Sequence, residues 1–169
     1  MQTGKRSSGI PVALLVERFS PIVLSLLCVA FIGLFKGVIL TEISRSGVNL
    51  ANLYSSVFNW SAIHVGFAFG VYGFLLSKSD GFIGEVRKTV AMARFISYVR
   101  RGAVGGFALT LVSVPITVVS PDPASSTFSF WAVSLWFGLF VWTFLAFVRI
   151  AFNFIRLTTV PEQEPFYGA

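Results

Sequence analysis

Between residues 128 and 148 the chain carries no aspartate, glutamate, lysine or arginine, and it sets Trp131, Trp136 and Trp142 among phenylalanines and leucines. About 20 apolar residues are what an α-helix needs to cross the roughly 30 Å hydrocarbon core of a bilayer. Inside that core every backbone N–H and C=O must be paired within the protein, which an α-helix does without help from a second segment. Three further stretches pass the same test. Residues 20–40 are interrupted only by Lys36, residues 57–76 contain His64, the one histidine of the chain, and residues 103–120 are the weakest, with Pro115 among them. Only 12% of the residues are charged, against roughly a quarter in soluble domains. The expected fold is an all-α membrane protein, a single polytopic domain over residues 1–169 with four transmembrane helices. The first stretch is too long for the apolar region of a signal peptide and no A-x-A pattern follows it, so it is expected to be a span.

The distribution of charge orients these helices. The chain has 13 lysines and arginines and a net charge of +6. All of them except Lys36 and Arg45 precede span one, lie between spans two and three, or follow the uncharged part of span four. Cytoplasmic loops collect positive charge, so both termini and the 78–102 segment are expected inside, with loops 41–56 and 121–127 outside. A bacterial inner (plasma) membrane is the expected location. The basic excess is thereby accounted for by topology, and specific nucleic-acid binding is not expected.

Residues 82–101 are too charged to span but have helical periodicity. Phe82, Val86, Val90, Ala93 and Ser97 share one face, while Arg87, Arg94 and Arg101 recur every seventh residue on another, joined by Tyr98. This pattern predicts an amphipathic cytoplasmic helix whose arginines meet anionic headgroups or a cytosolic protein partner. Arg149 and Arg156, at the end of span four, are expected to anchor at the same interface.

Little in the sequence supports catalysis. One histidine and one cysteine, Cys28, on different spans cannot furnish a zinc site or a pair of haem ligands. Glu17 stands at the edge of span one, and no carboxylate lies within any span to drive a proton-coupled antiporter or complete a triad. No phosphate-binding loop, GxSxG or HExxH is present. The expectation is a protein that is not an enzyme and holds no cofactor or metal.

Small residues carry more information. Gly33 and Gly37 on span one, and Gly66, Gly70 and Gly73 on span two, form stripes that let helix backbones approach closely, and span three opens with "GAVGG" at 102–106. Such stripes serve either packing within the bundle or a seam between subunits. Lys36 is close enough to the outer end of its span to snorkel, and His64 is expected to hydrogen-bond a neighbouring helix. The expected function is an assembly or regulatory subunit that forms a homo-oligomer or binds a membrane-protein partner, and that offers its basic cytoplasmic face to a soluble one. The alternative is an oligomeric pore or membrane-perturbing effector, an ion leak of the kind a bacterial defence system would use, with Lys36 and His64 as polar contacts along the channel.

Overall fold

The computed structural model describes residues 12–77 and 89–159, with side chains from Phe19 onward. Among these residues there are five helices and no strand: α1 (Val12–Leu34), α2 (Lys36–Ser46), α3 (Leu50–Ser77), α4 (Val90–Val119) and α5 (Thr127–Thr158). Three of them, α3, α4 from Met92 onward, and α5, are long and apolar enough to cross a membrane.

The 20–40 stretch is not one straight helix. Phe35 leaves helical geometry (φ −99°, ψ 22°), and α2 departs from the Phe19–Leu34 part of α1 at 78°. Hydrogen bonds from Phe35 N to Phe31 O and from Ile39 N to Phe35 O, each 3.0 Å, close the turns on either side of the bend. Glycines at 33 and 37 flank the bend, and glycine lowers helix stability by about 1 kcal/mol per residue. Lys36 adds a directional pull, its Nζ resting 4.8 Å above the Phe130 ring of α5. The expected outer loop 41–56 is likewise mostly helical. α2 runs to Ser46 and ends on Gly47 at φ 61°, where a side chain would be strained. Asn49 Oδ1 then accepts a hydrogen bond from Asn52 N at 3.1 Å and so caps α3 seven residues ahead of the expected span.

The surface helix expected at 82–101 is not a separate element where it is described. Residues 90–101 are the first three turns of α4, which starts on a Thr89 cap (Met92 N to Thr89 Oγ1, 3.3 Å) and continues past Pro115 to Val119. Residues 82–88, Arg87 among them, lie outside the described residues. The expected apolar face also differs. Val90 is 67% exposed, whereas Met92, Phe95 and Val99 are buried. Packing against two neighbouring helices has selected the bulkier set.

That set belongs to a longer pattern. The buried residues of α3 are Tyr54, Val57, Ser61, His64, Ala68, Val71 and Leu75, alternately three and four apart. On α4, Met92, Phe95, Val99, Gly102, Gly106, Leu109 and Ser113 are buried with the same alternation. A three–four repeat is the seam of a coiled coil, so α3 and α4 meet along their whole length, knobs against holes. They run antiparallel. Val71 and Leu75 share an apolar cluster with Met92, Phe95, Val99 and Ile150, while Tyr54 and Val57 share one with Leu109 and Trp136. The turn at 120–126, with Asp122 Oδ1 accepting from Ala124 N at 2.8 Å, returns the chain so that α5 packs antiparallel to α4. α1 lies against the far side of α5, and α2 buries no residue.

Candidate functional site

The two apolar clusters sit at opposite ends of the α3–α4–α5 bundle, and the layer between them is small and polar. His64 is its centre, with 1% of its surface exposed. Trp60 and Phe147 flank the imidazole with ring centroids at 5.1 and 5.3 Å. Glycines close the opposite side. A Cβ at Gly106 would stand 3.0 Å from His64 Nδ1, and one at Gly102 would stand 3.7 Å from Nε2 while meeting Ile150 Cδ1 at 2.5 Å. The imidazole fits there because α4 offers bare backbone at those two heptad positions. The expected interhelical hydrogen bond is not found: neither ring nitrogen has a partner among the described residues.

The groups nearest His64 are satisfied, whereas Thr117 Oγ1, further along α4, is buried without a partner among the described residues. Ser61 Oγ donates to Phe58 O at 2.7 Å, and Thr110 Oγ1 lies 2.9 Å from both Ser61 Oγ and Gly106 O. Towards the 120–126 turn, Trp136 Nε1 donates to Ser113 Oγ at 2.8 Å and Tyr54 OH donates to Pro121 O at 2.7 Å. On α5, Thr143 Oγ1 donates to its own Phe140 O at 2.9 Å. The polar atoms thus form a column along the seam that binds the three helices to one another. No group of three His, Cys, Asp or Glu side chains comes together among the described residues. An imidazole without a carboxylate partner, walled by rings and glycine, can exchange a proton or a hydrogen bond but has no nucleophile beside it to activate.

The other sequence-derived residues fall into three places. Gly33 abuts the Trp131 indole, where a Cβ would lie 2.8 Å from Cη2, so it serves the α1–α5 contact. Gly37, Gly66, Gly70 and Gly73 have nothing within 4 Å of a built Cβ. Gly66, Gly70 and Gly73 are exposed, on the side of α3 away from the seam. Lys36 is half-buried over Phe130. Arg94 and Arg101 are exposed on the first turns of α4, and Tyr98 between them lies beneath Arg149, whose Cζ is 3.9 Å from the ring centroid. Arg156 covers Phe152 at 4.2 Å.

Besides Gly33, the glycines that carry close approaches are those of the "GAVGG" segment and Gly138. Gly105 faces Trp142 and Thr143 of α5, and Gly138 faces Val29 of α1. Ser25 Oγ donates to the Gly138 carbonyl at 2.7 Å across that contact. The three–four spacing of 54–75 and of 92–113 is the sequence signal that picks out the α3–α4 seam. Comparison of the chain with protein-family models, curated proteins and solved structures finds no match.

Proposed function

We propose that this is a non-enzymatic membrane subunit that crosses the bilayer four times, with α1 as the first crossing and α2 lying along the outer surface. Both termini and the 78–102 segment are then cytoplasmic, in keeping with the confinement of basic residues, apart from Lys36 and Arg45, to that end of the chain. The protein assembles with a second copy through the outer face of α3, and Arg94 and Arg101 are presented to a cytosolic partner.

The observation that carries this reading is the position of Gly66, Gly70 and Gly73. Each is about two residues out of phase with the buried series His64, Ala68, Val71 and Leu75, which at roughly 100° per residue puts the glycines on the opposite side of the helix. Glycines facing lipid contribute neither packing nor transfer energy, whereas against another helix they permit backbone contact. Asn59 is exposed on the same side and has no hydrogen-bond partner among the described residues. In a two-fold pair it meets its own copy, a contact in which amide hydrogen bonds form across the interface. The pore alternative draws less support, because His64 is enclosed in the seam and Lys36 rests on an aromatic ring.

The test is oligomeric state in lipid nanodiscs or by single-molecule photobleaching. Gly70→Leu is expected to leave the chain folded, since nothing occupies the space within 4 Å, and to shift it to monomer. A wild-type chain that is monomeric in lipid, or an oligomer unchanged by Gly70→Leu, would overturn the reading.

A further inference from the structure

The side of the α3–α4 pair away from α5 carries a groove of about 280 Å³. Phe67 of α3 and Gly105 of α4 meet Phe147 and Trp142 of α5. The groove residues Phe69, Tyr72, Arg100, Ala103 and Phe107 stand about 140–160° around their helices from those two. Tyr72 and Arg100 line its upper end, at the basic end of the molecule, and Phe69 and Phe107 lie deeper. Val99, which is buried, and Ala103, half-buried, form its floor. We propose that this groove holds one acyl chain of an anionic glycerophospholipid of the cytoplasmic leaflet, with the phosphodiester on the Arg100 guanidinium. The proposal rests on the membrane placement of α3 and α4 given above and is independent of assembly through α3.

Charge, polarity and size all bear on the occupant. Neither α3 nor α4 carries an aspartate or glutamate, and no hydrogen bond, ion pair or ring contact engages Arg100 among the described residues. Its guanidinium N–H groups are therefore open to an anion at the level where α4 enters the bilayer. A phosphodiester there gains charge-assisted hydrogen bonds. Tyr72, whose neighbour Val71 packs in one cluster with Val99, adds a hydroxyl at the same height. Below this level the lining is Ala103, Val104, Phe69 and Phe107, so polarity falls with depth as it does along a lipid. Phe69 is 59% and Phe107 54% exposed, which in the placement above opens the groove to hydrocarbon rather than to water. From Arg100 to Phe107 it runs about 10 Å along α4. A helix of that length would fill roughly 800 Å³, more than twice the groove, whereas one hydrocarbon chain has room to lie lengthwise. A soluble anion would engage Arg100 and leave the aromatic walls uncovered.

The test is native mass spectrometry of the full chain released from mild detergent, titrated with phosphatidylglycerol or with phosphatidylcholine of the same acyl chains. One phosphatidylglycerol per chain is expected, held about tenfold more tightly than the zwitterionic lipid, the scale of one charge-assisted hydrogen bond. Arg100→Gln, at an exposed position, is expected to bring the two lipids within about twofold of one another. Ala103→Leu, which fills the floor and leaves the charge intact, is expected to weaken both lipids by about tenfold or more. Arg156→Gln, exposed at the same end but on α5, is expected to change the preference by less than about twofold. Equal retention of both lipids by the wild-type chain would overturn the site. So would equal losses in Arg100→Gln and Arg156→Gln, the mark of diffuse surface charge, or full displacement by equimolar glycerol phosphate, the mark of an anion site without a lipid component. An Ala103→Leu chain that loses its second copy but keeps the lipid assigns the groove to that copy and overturns the proposal as well. Gly70→Leu monomers are expected to keep the adduct, because the groove is complete within one chain. A chain that stays in the membrane fraction and shows no preference sinks this site alone, whereas a chain recovered in the soluble fraction sinks the membrane placement with it.

Discussion

Replacing Gly105 by alanine tests the packing of α4 on α5 directly. The new Cβ would lie 2.7 Å from Trp142 Cζ3, 3.0 Å from Cη2 and 3.3 Å from Thr143 Cγ2. Carbon atoms rest at about 3.5–4.0 Å, so the indole must retreat by close to an ångström. It is a rigid ring, and the buried Thr143 beside it prevents the simplest adjustment. Overpacking of this kind costs about 1–3 kcal/mol, against which alanine regains about 1 kcal/mol of helix propensity. The net expectation is destabilisation by about 1 kcal/mol. Gly70→Ala supplies the reference: nothing lies within 4 Å, so only the propensity gain of about 1 kcal/mol remains. Subtracting one variant from the other cancels propensity and leaves the steric term, about 1–3 kcal/mol. Reversible unfolding of both variants in the same lipid–detergent micelles measures that difference, and alanine at 70 keeps the outer face of α3 small. If Gly105→Ala proves as stable as Gly70→Ala, the α4–α5 approach at Trp142 is not as close as described and the reasoning fails.

Three further perturbations probe the column and the bend. His64→Leu keeps a similar volume and removes two buried nitrogens without partners, so stability is expected to rise by about 1 kcal/mol or more in the same unfolding assay; a loss of that size would mean that the imidazole has a partner in the membrane. Trp136→Phe and Ser113→Ala, singly and together, should give a coupling energy of about 0.6 kcal/mol for the 2.8 Å hydrogen bond, and additive single effects would indicate that the bond is not formed. Lys36→Met removes the ammonium from the face of Phe130 and is expected to cost about 0.5–1 kcal/mol, whereas Phe130→Leu in the Lys36→Met background should cost no further cation–π energy in a double-mutant cycle.

Hydropathy alone identified where the long helices are, because a run such as 128–148 has no other way to satisfy its backbone. It did not resolve what happens at Phe35, since leucine, phenylalanine and isoleucine read alike whether the helix is straight or bent, and the ring that Lys36 meets is on a helix almost a hundred residues away. The glycines are visible in the sequence as close-packing residues, yet the stripe at 66, 70 and 73 stands out ahead of those at 102, 105 and 106. Only the facing helices separate the two groups, the second set lying against His64, Ile150 and Trp142 and the first having nothing within 4 Å among the described residues. The heptad spacing of α3 and α4 would have made that distinction from sequence, but a periodicity centred on obviously apolar residues passes over a seam that includes serine, histidine and glycine. For the same reason the apolar face of residues 90–101 was placed on Val90 and Ala93 rather than on Met92, Phe95 and Val99.

The lengths of α4 and α5 have a mechanical consequence. At roughly 1.5 Å per residue, their 30 and 32 residues extend about 45 and 48 Å, while the hydrocarbon of a bilayer occupies about 30 Å. They are joined by a short turn at one end, so with that turn at one membrane surface the excess of both would emerge at the other, as a stub of about 15 Å. Met92, Phe95 and Val99 lock that stub to Leu75 of α3 and Ile150 of α5. It is therefore a stiff lever rather than a pair of frayed ends. A change in tilt of about 10°, small beside the range helices adopt as membrane thickness varies, moves its tip sideways by about 3 Å. With α4 and α5 crossing the bilayer as proposed, Arg94 would ride on that lever, and a tilt of this size would carry its charge sideways by about the same distance.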